Sequence, residues 1–395
     1  MSIGLLYERS ETDEMGIRLT AEELHIDLEY IPFRKISISM DENGYNIRSK
    51  GKNYSDAIKD VAVVLNRTQS KNRRLFATYL METFGKHVIN PSSVESVCYS
   101  KLRTLLHFWM AGIKIPKTVY VPCDSRETMK DGTEIHNEED IADLLQQELG
   151  NAEIVVKPDA GTHGRMVSLA KNRQELLTNI QQTKSTIINP VGILAQEFIQ
   201  KWFYDLRIIV TKEKGKAPYC HPKALARAGF KDFRTNTFLG NLVFDAALPL
   251  YIRNLAVKCG KTIGKNNDAW LLALDAMVAV GKNKVVDDEF VMSHLNRLSI
   301  PFDAIKKVKM YKTKKMDFPS WNRKLEEAFQ DYMSTEAYES VKEVIDESVE
   351  KNQHSIIFHE ANSCPEFWEQ TRLITGFNLA IPLLKSAQSL TGLSY

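Results

Sequence analysis

Asp275 interrupts the apolar run 271–280, and Glu360 and Asn362 follow directly on a second apolar run at 356–359. A carboxylate buried in such a strand is costly unless something compensates its charge. Two carboxylates and an amide oxygen together suit a hard divalent cation. Lys157 ends a β-branched run at 153–157 and is followed by Pro158 and by a loop containing Gly161, Thr162 and Gly164, ahead of another short strand at 166–169. Glycines let a backbone approach phosphate oxygens closely, and a lysine supplies the opposing charge. The loop is not a Walker A motif, because the GKS/T ending and the helix that follows it are missing. Taken alone, the segment also suits a plain hairpin.

More polar residues punctuate apolar strands on either side. Gln196 and Glu197 sit at the centre of a strand-like run at 194–199, and Asp205 and Arg207 lie at the start of another at 204–210. Arg227 closes a short run at 224–227, and Arg234 and Asn236 follow in a polar loop. Upstream, apolar runs at 3–7 and 61–65 and one ending at 31 alternate with helix-compatible stretches at 11–24 and 73–84. Such alternation predicts βαβ units and a parallel sheet. Ligands of these sheets bind at the carboxyl ends of the strands, which is where Asn66 and Arg67 follow the run 61–65. A capped loop is the competing reading of that pair.

The composition agrees with small-molecule chemistry. The chain has 395 residues, 43% of them hydrophobic, with 52 basic against 50 acidic residues and a formal charge of +2. That balance argues against a dedicated nucleic-acid binder. The five cysteines are scattered without a CxxC pair, so neither a disulfide framework nor a thiolate zinc site is expected. The N-terminus soon turns charged and no run approaches the length of a membrane span. A cytoplasmic protein without a membrane partner is expected, and assembly into homo-oligomers is compatible with these features.

As an ordered set, 64–67, 88–91, Lys101 with 112–118, 156–158 with 161–165, 196–199, 205–207, 234–236, Asp275, 360–362 and 365–367 resemble the RimK-like branch of the ATP-grasp carboxylate-amine ligases. Within that branch the resemblance is greatest to the ligases of carrier-protein lysine and arginine biosynthesis. It implies an α/β chain built of α+β subdomains in the ATP-grasp fold. An N-terminal parallel-sheet substrate domain would span 1–95, a central subdomain with a phosphate flap 96–195, and a C-terminal subdomain 196–395. It further implies ATP held by Lys101, Lys157, the flap residues Gly161, Thr162 and Gly164, the adenine strand Gln196, Glu197, Phe198 and Ile199, and Asp205. Arg207, Arg227 and Asn236 would hold the transferred phosphoryl group. Asp275, Glu360 and Asn362 would bind Mg2+, two ions in all, and Asn66, Arg67 and Ser363 would border the substrate. The implied partners are an amino acid and an acidic carrier protein or peptide, and the implied reaction is ADP-forming.

The chain departs from that pattern between Asp275 and Glu360, which the family joins by a short turn. An insertion at 287–353 is expected to be mostly helical, with a basic run at 306–315 and a helix over 321–350. Leu325, Phe329, Met333, Val341, Ile345 and Val349 recur at helical spacing, which predicts an amphipathic element packed on the body of the protein.

Overall fold

The structure is a computed structural model that describes residues 2–9, 11–49, 51–122, 137–150, 153–161, 164–183, 192–234, 241–310 and 317–392. The N-terminal layer comprises β1 (Ser2–Tyr7), α1 (Thr12–Glu23), β2 (Leu28–Pro32), β3 (Ser37–Asp41), β4 (Gly44–Ser49), β5 (Lys52–Asn53), α2 (Ser55–Asp60), β6 (Val61–Arg67), α3 (Lys71–Thr83), β7 (His87–Ile89) and α4 (Ser92–Tyr99). Strands β2, β1, β6 and β7 pair in that order as a parallel sheet. Leu5, Val63 and Leu65 are buried in one core and Leu6, Val64 and Val88 in another. Burial on both faces explains why these strands read as continuous apolar runs. β6 continues past its apolar run, so Asn66 and Arg67 are its last residues, paired with Leu6 and Tyr7.

The next layer contains α5 (Lys101–Met110), β8 (Thr118–Val121), α6 (Glu138–Leu149), β9 (Ile154–Pro158), β10 (Ser168–Ala170), α7 (Arg173–Thr183) and β11 (Ile193–Glu197). Its antiparallel sheet has the order β10-β9-β11-β8. Ile141 and Leu145 of α6 and Leu176 and Ile180 of α7 share one core with Ile154, Val156 and Ala195 of the sheet. β11 stops at Glu197, so Phe198 and Ile199 lie beyond the strand expected at 194–199.

The C-terminal layer contains β12 (Tyr204–Lys212), β13 (Tyr219–Cys220), β14 (Lys223–Ala228), β15 (Leu242–Ala247), α8 (Leu250–Gly264), β16 (Trp270–Val278), α9 (Asp288–Met310), α10 (Phe318–Met333), α11 (Glu336–Lys351), β17 (Ile356–Asn362), α12 (Thr371–Thr375) and α13 (Ala380–Thr391). Its antiparallel sheet runs β15-β14-β12-β16-β17, with β13 paired to β12. Alternate residues of a strand face opposite sides. Leu206, Ile208, Leu272 and Leu274 accordingly enter one core with Ile252 and Ala256 of α8. Ile209, Leu271 and Ala273 face the other way, into a core shared with β1, β6 and α13. Asp205, Arg207 and Asp275 continue this second face.

The insertion differs in detail from expectation. Among the described residues it holds three helices, α9 to α11, and the single helix expected over 321–350 is broken at Ser334 and Thr335, where the Thr335 hydroxyl accepts from the Tyr338 amide and opens α11. Leu325, Phe329, Val341, Ile345 and Val349 are buried as expected, and Met333 is half-buried. These residues share a core with β15 and β16, so the insertion is packed on the body of the protein. Its side chains also occupy the edge of the sheet at β15. The Tyr338 hydroxyl accepts from the Asp245 amide at 3.1 Å, the Ala247 amide donates to Asp346 at 2.7 Å, and the Tyr332 hydroxyl donates to the Val243 carbonyl at 3.0 Å. An edge strand covered in this way is protected from pairing with another chain.

Candidate active site

The strand register brings the charged residues of the C-terminal sheet into one row. Arg207 of β12 stands opposite Asp275 of β16, and Asp275 stands opposite Glu360 of β17. Asn362, two residues on, shares the face of Glu360. Glu360 and Asn362 lie within β17, which extends past the run that ends at 359. Arg207 grips Asp275 with two bonds of 2.9 and 3.0 Å, and Asn362 donates to the same carboxylate at 3.4 Å. Arg227 lies 3.4 Å from Asp275 and donates to Asp205 at 2.6 Å, so Asp205 orients Arg227. Burial opposes ionisation of Asp275, yet the neighbouring Arg207 and Arg227 guanidiniums hold its carboxyl well below the usual range. A register shift after Asp275 makes His359 the extra residue of a bulge. Simple alternation would turn His359 away from the site, but its electrostatic neighbours are Lys157, Asp275, Glu360 and Asp205. Burial, followed by Lys157, pushes its imidazole down to about 4.

Three buried lysines face this row. Lys101 opens α5, and its ammonium donates to the Gly161 carbonyl at 2.8 Å while standing 3.8 Å from Glu360. Lys157 is on β9. Lys71, which sequence reasoning missed, opens α3; its side chain is 8% exposed and its ammonium lies 4.0 Å from the same Glu360 oxygen. Both Glu360 distances exceed a hydrogen bond. Burial, followed by repulsion from Lys101, pushes Lys71 and Lys157 each down to about 8. Among the described residues, Lys71, Lys101, Lys157, Lys201, Arg207 and Arg227 outnumber the carboxylates Asp159, Asp205, Asp275 and Glu360. A buried surplus of positive charge suits a polyanion such as a triphosphate. Asp275 and Glu360, opposite each other on β16 and β17, with the Asn362 amide bonded to Asp275, fit the donor set of a hard cation.

Gly161 lies against Lys101, and β11 pairs with β9, which carries Lys157. A Cβ on Gly161 would stand 2.5 Å from Pro158, which requires glycine there, and Gly164 has φ +66°. Arg234 donates to the Gly164 and Val167 carbonyls, both at 3.3 Å, and so ties the C-terminal layer to the segment 164–167. Thr162 and Asn236 lie outside the described residues. Gln196 donates to the Thr118 hydroxyl at 2.8 Å, and Glu197 accepts from the Lys117 amide at 2.8 Å. The Phe198 amide donates to the Glu153 carbonyl at 3.0 Å, and the Ile199 carbonyl accepts from the Lys201 amide at 2.7 Å.

The residues expected to border the substrate do not converge with one another through their side chains. The Asn66 amide donates to the Arg74 carbonyl and the Thr78 hydroxyl and accepts from the Thr68 amide, so it shapes the loop into α3. Arg67 donates to Asp13 at 2.7 Å and to the Pro365 carbonyl at 3.0 Å, while Asp13 also accepts from the Phe367 and Trp368 amides. Ser363 donates to Glu95 at 2.7 Å, and Glu95 also binds Arg74 at 2.9 Å. Asp13, Arg74 and Glu95 escaped sequence reasoning because each is an ordinary charged residue on a helix face.

Residues 128–283 match the model of the RimK-like ATP-grasp domain. Over that stretch the chain is similar to a RimK-like ATP-grasp domain. This is the fold of ADP-forming carboxylate-amine ligases, in agreement with the resemblance drawn from the motifs. The chain is 26% identical over 211 residues to the alpha-aminoadipate–LysW ligase LysX of Sulfurisphaera tokodaii, covering 53% of this chain and 66% of that protein. It is 31% identical over 185 residues to a probable alpha-L-glutamate ligase of Legionella pneumophila, covering 47% of this chain and 54% of that protein. Its fold matches a Chryseobacterium gregarium RiPP-associated ATP-grasp ligase, solved with ADP and a leader and core peptide. The TM-score is 0.54 at 13% identity, over 100% of this chain and 98% of that one. It likewise matches the ATP-grasp ligase PsnB, solved with a precursor variant, Mg and ADP, with a TM-score of 0.52 at 12% identity over 99% of both chains. Among the described residues, no helix is long and apolar enough to cross a membrane.

Proposed function

We propose that the protein is a cytoplasmic, ATP-dependent ligase that activates a carboxylate as an acyl phosphate and couples it to the amino group of an amino acid. ADP and phosphate are released. The observation that carries this reading is the buried surplus of lysines and arginines around Asp275 and Glu360. A carboxylate does not condense with an amine at neutral pH, because oxide is a prohibitive leaving group. Transfer of the γ-phosphoryl group to the carboxylate oxygen expels ADP and provides phosphate as the leaving group when the amine attacks. The work left to the protein is positioning and neutralisation of charge.

In this reading Lys101 and Lys157 hold the phosphates under the flap of Gly161, Thr162 and Gly164, and the backbone of residues 196–199 faces the adenine edge. Arg207, Arg227 and Asn236 hold the transferred group, with Asp205 orienting Arg227. Asp275, Glu360 and Asn362 would bind two Mg2+ ions, which supply Lewis acidity and charge compensation when bound. Arg67 and Ser363 border the substrate from the N-terminal side, and Asn66 shapes that border.

The first reading of the substrate is an amino acid joined to an acidic carrier protein, as the names of the LysX relatives suggest. A second reading, a carboxylate on a peptide precursor, is supported by the likeness to a peptide-bound ligase, which covers 100% of this chain where the LysX match covers 53%. The test is colorimetric phosphate release from Mg·ATP with pooled amino acids, alone and with acidic carrier proteins or acidic precursor peptides. Release that depends on one acceptor class identifies it. Binding of ATP without turnover in every mixture would point instead to a regulator that keeps the fold.

A further inference from the structure

Lys71 reaches Glu360 from a different layer than the two lysines that the motifs pointed to. Lys101 is bonded to the Gly161 carbonyl of the flap, and Lys157 lies on the strand that leads into the flap, so both belong to the nucleotide side. Lys71 opens the helix that follows Asn66 and Arg67, and its ammonium donates to the Cys98 carbonyl at 3.3 Å. One turn along the same helix, Arg74 touches the Ser363 hydroxyl at 3.3 Å, immediately past β17. The Lys71 ammonium therefore lies between Glu360 and the segment that borders the substrate. It is buried beside a carboxylate at 4.0 Å, outside hydrogen-bond reach, with Lys101 3.8 Å from the same oxygen. One carboxylate oxygen shared by two ammonium groups leaves charge to be satisfied by an incoming anion.

Resting on the ligase reading above, we propose that Lys71 binds the phosphoryl group in transit on its substrate side, and that it does not hold the nucleotide. The N-terminal layer thereby supplies a cation to a reaction otherwise served by the two ATP-grasp subdomains. Inorganic phosphate, the product, is the probe, because it occupies the place of the transferred group.

The experiment is calorimetric titration of phosphate into the full-length protein saturated with Mg·ADP, for wild type, Lys71→Met, Lys71→Gln, Lys71→Arg and Lys101→Met. Circular dichroism and melting identify the folded variants. Loss of one charge-assisted bond is expected to weaken phosphate binding in Lys71→Met and Lys71→Gln by about tenfold or more. Mg·ADP affinity is expected to change by less than about twofold in these two variants, with partial recovery of phosphate binding in Lys71→Arg. Lys101→Met is expected to weaken Mg·ADP itself. Unchanged phosphate affinity in either folded neutral variant would overturn the proposal, as would loss of Mg·ADP equal to that of Lys101→Met. So would a wild-type Mg·ADP complex that does not bind phosphate. A wild type that fails to bind Mg·ADP would instead overturn the nucleotide reading on which the proposal rests.

Discussion

Two buried, charge-rich regions meet at the end of β17 and are built on opposite plans. At the carboxyl end of the N-terminal sheet the charges are closely partnered: Arg67 with Asp13 at 2.7 Å, Arg74 with Glu95 at 2.9 Å, and Ser363 with Glu95 at 2.7 Å. On the face of the C-terminal sheet, Lys71 and Lys101 stand 4.0 and 3.8 Å from Glu360, and cations outnumber carboxylates. Pairing at hydrogen-bond distance joins segments far apart in the chain. A surplus held just outside that distance destabilises the protein alone and is offset only when an anion binds. The first plan suits a clamp between layers, and the second suits a ligand site.

Breaking the clamp should have the largest effect on stability. Arg74→Met leaves the Glu95 carboxylate buried without its ion pair and is expected to cost about 3–5 kcal/mol of unfolding free energy, measured by urea titration. A loss below about 1 kcal/mol would mean that Glu95 finds other compensation. Glu360→Gln makes the opposite contrast. The variant should still fold, while phosphate release falls by about 100-fold or more, because the neutral amide is a poorer ligand for the metal ions than the carboxylate. Near-normal turnover in a folded Glu360→Gln protein would remove Glu360 from the metal site.

A smaller effect sharpens the comparison through pH. Lys71 and Lys157 lie at about 8 in the folded protein, against 10.5 for the ordinary side chain. Below about 8 both folded and unfolded chains carry these protons, so the cost of the buried charges is fully present. Between about 8 and 10.5 the unfolded chain binds more protons, and stability should rise with pH. Without nucleotide, the denaturant midpoint of the wild type should therefore gain relative to Lys157→Met over that window. Parallel curves for the two proteins would show that Lys157 titrates normally.

The residues that could be read from the sequence are those whose signal is local. Asp275 stands out in a run of apolar residues, and Glu360 and Asn362 follow another, so a polar face in a buried strand was visible from the pattern alone. The parallel strands β1 and β6 were visible for the same reason. Lys71 was not, because it reaches Glu360 only through the packing of Leu5, Val63 and Leu65 against Ile209, Leu271 and Ala273, a relation between segments some 200 residues apart. Asn66 illustrates the converse: its position at a strand end was correctly placed, but its amide is taken up by α3, a use that no spacing announces. The break between α10 and α11 had a signal in Thr335, an N-cap residue, which the continuous apolar spacing obscured.

The most direct measurement is calorimetry of Mg·ATP binding near pH 8 in two buffers of different ionisation enthalpy. If the lysine-rich face of Asp275 and Glu360 is the nucleotide site, bound phosphates should draw protons onto Lys157, which lies at about 8 without ligand, and the apparent enthalpy should shift between buffers in the direction of net proton uptake. That uptake should shrink in Lys157→Arg, whose guanidinium is already charged at this pH. Tight binding of Mg·ATP with no proton uptake, or no binding at all, would contradict the assignment of this face to the nucleotide.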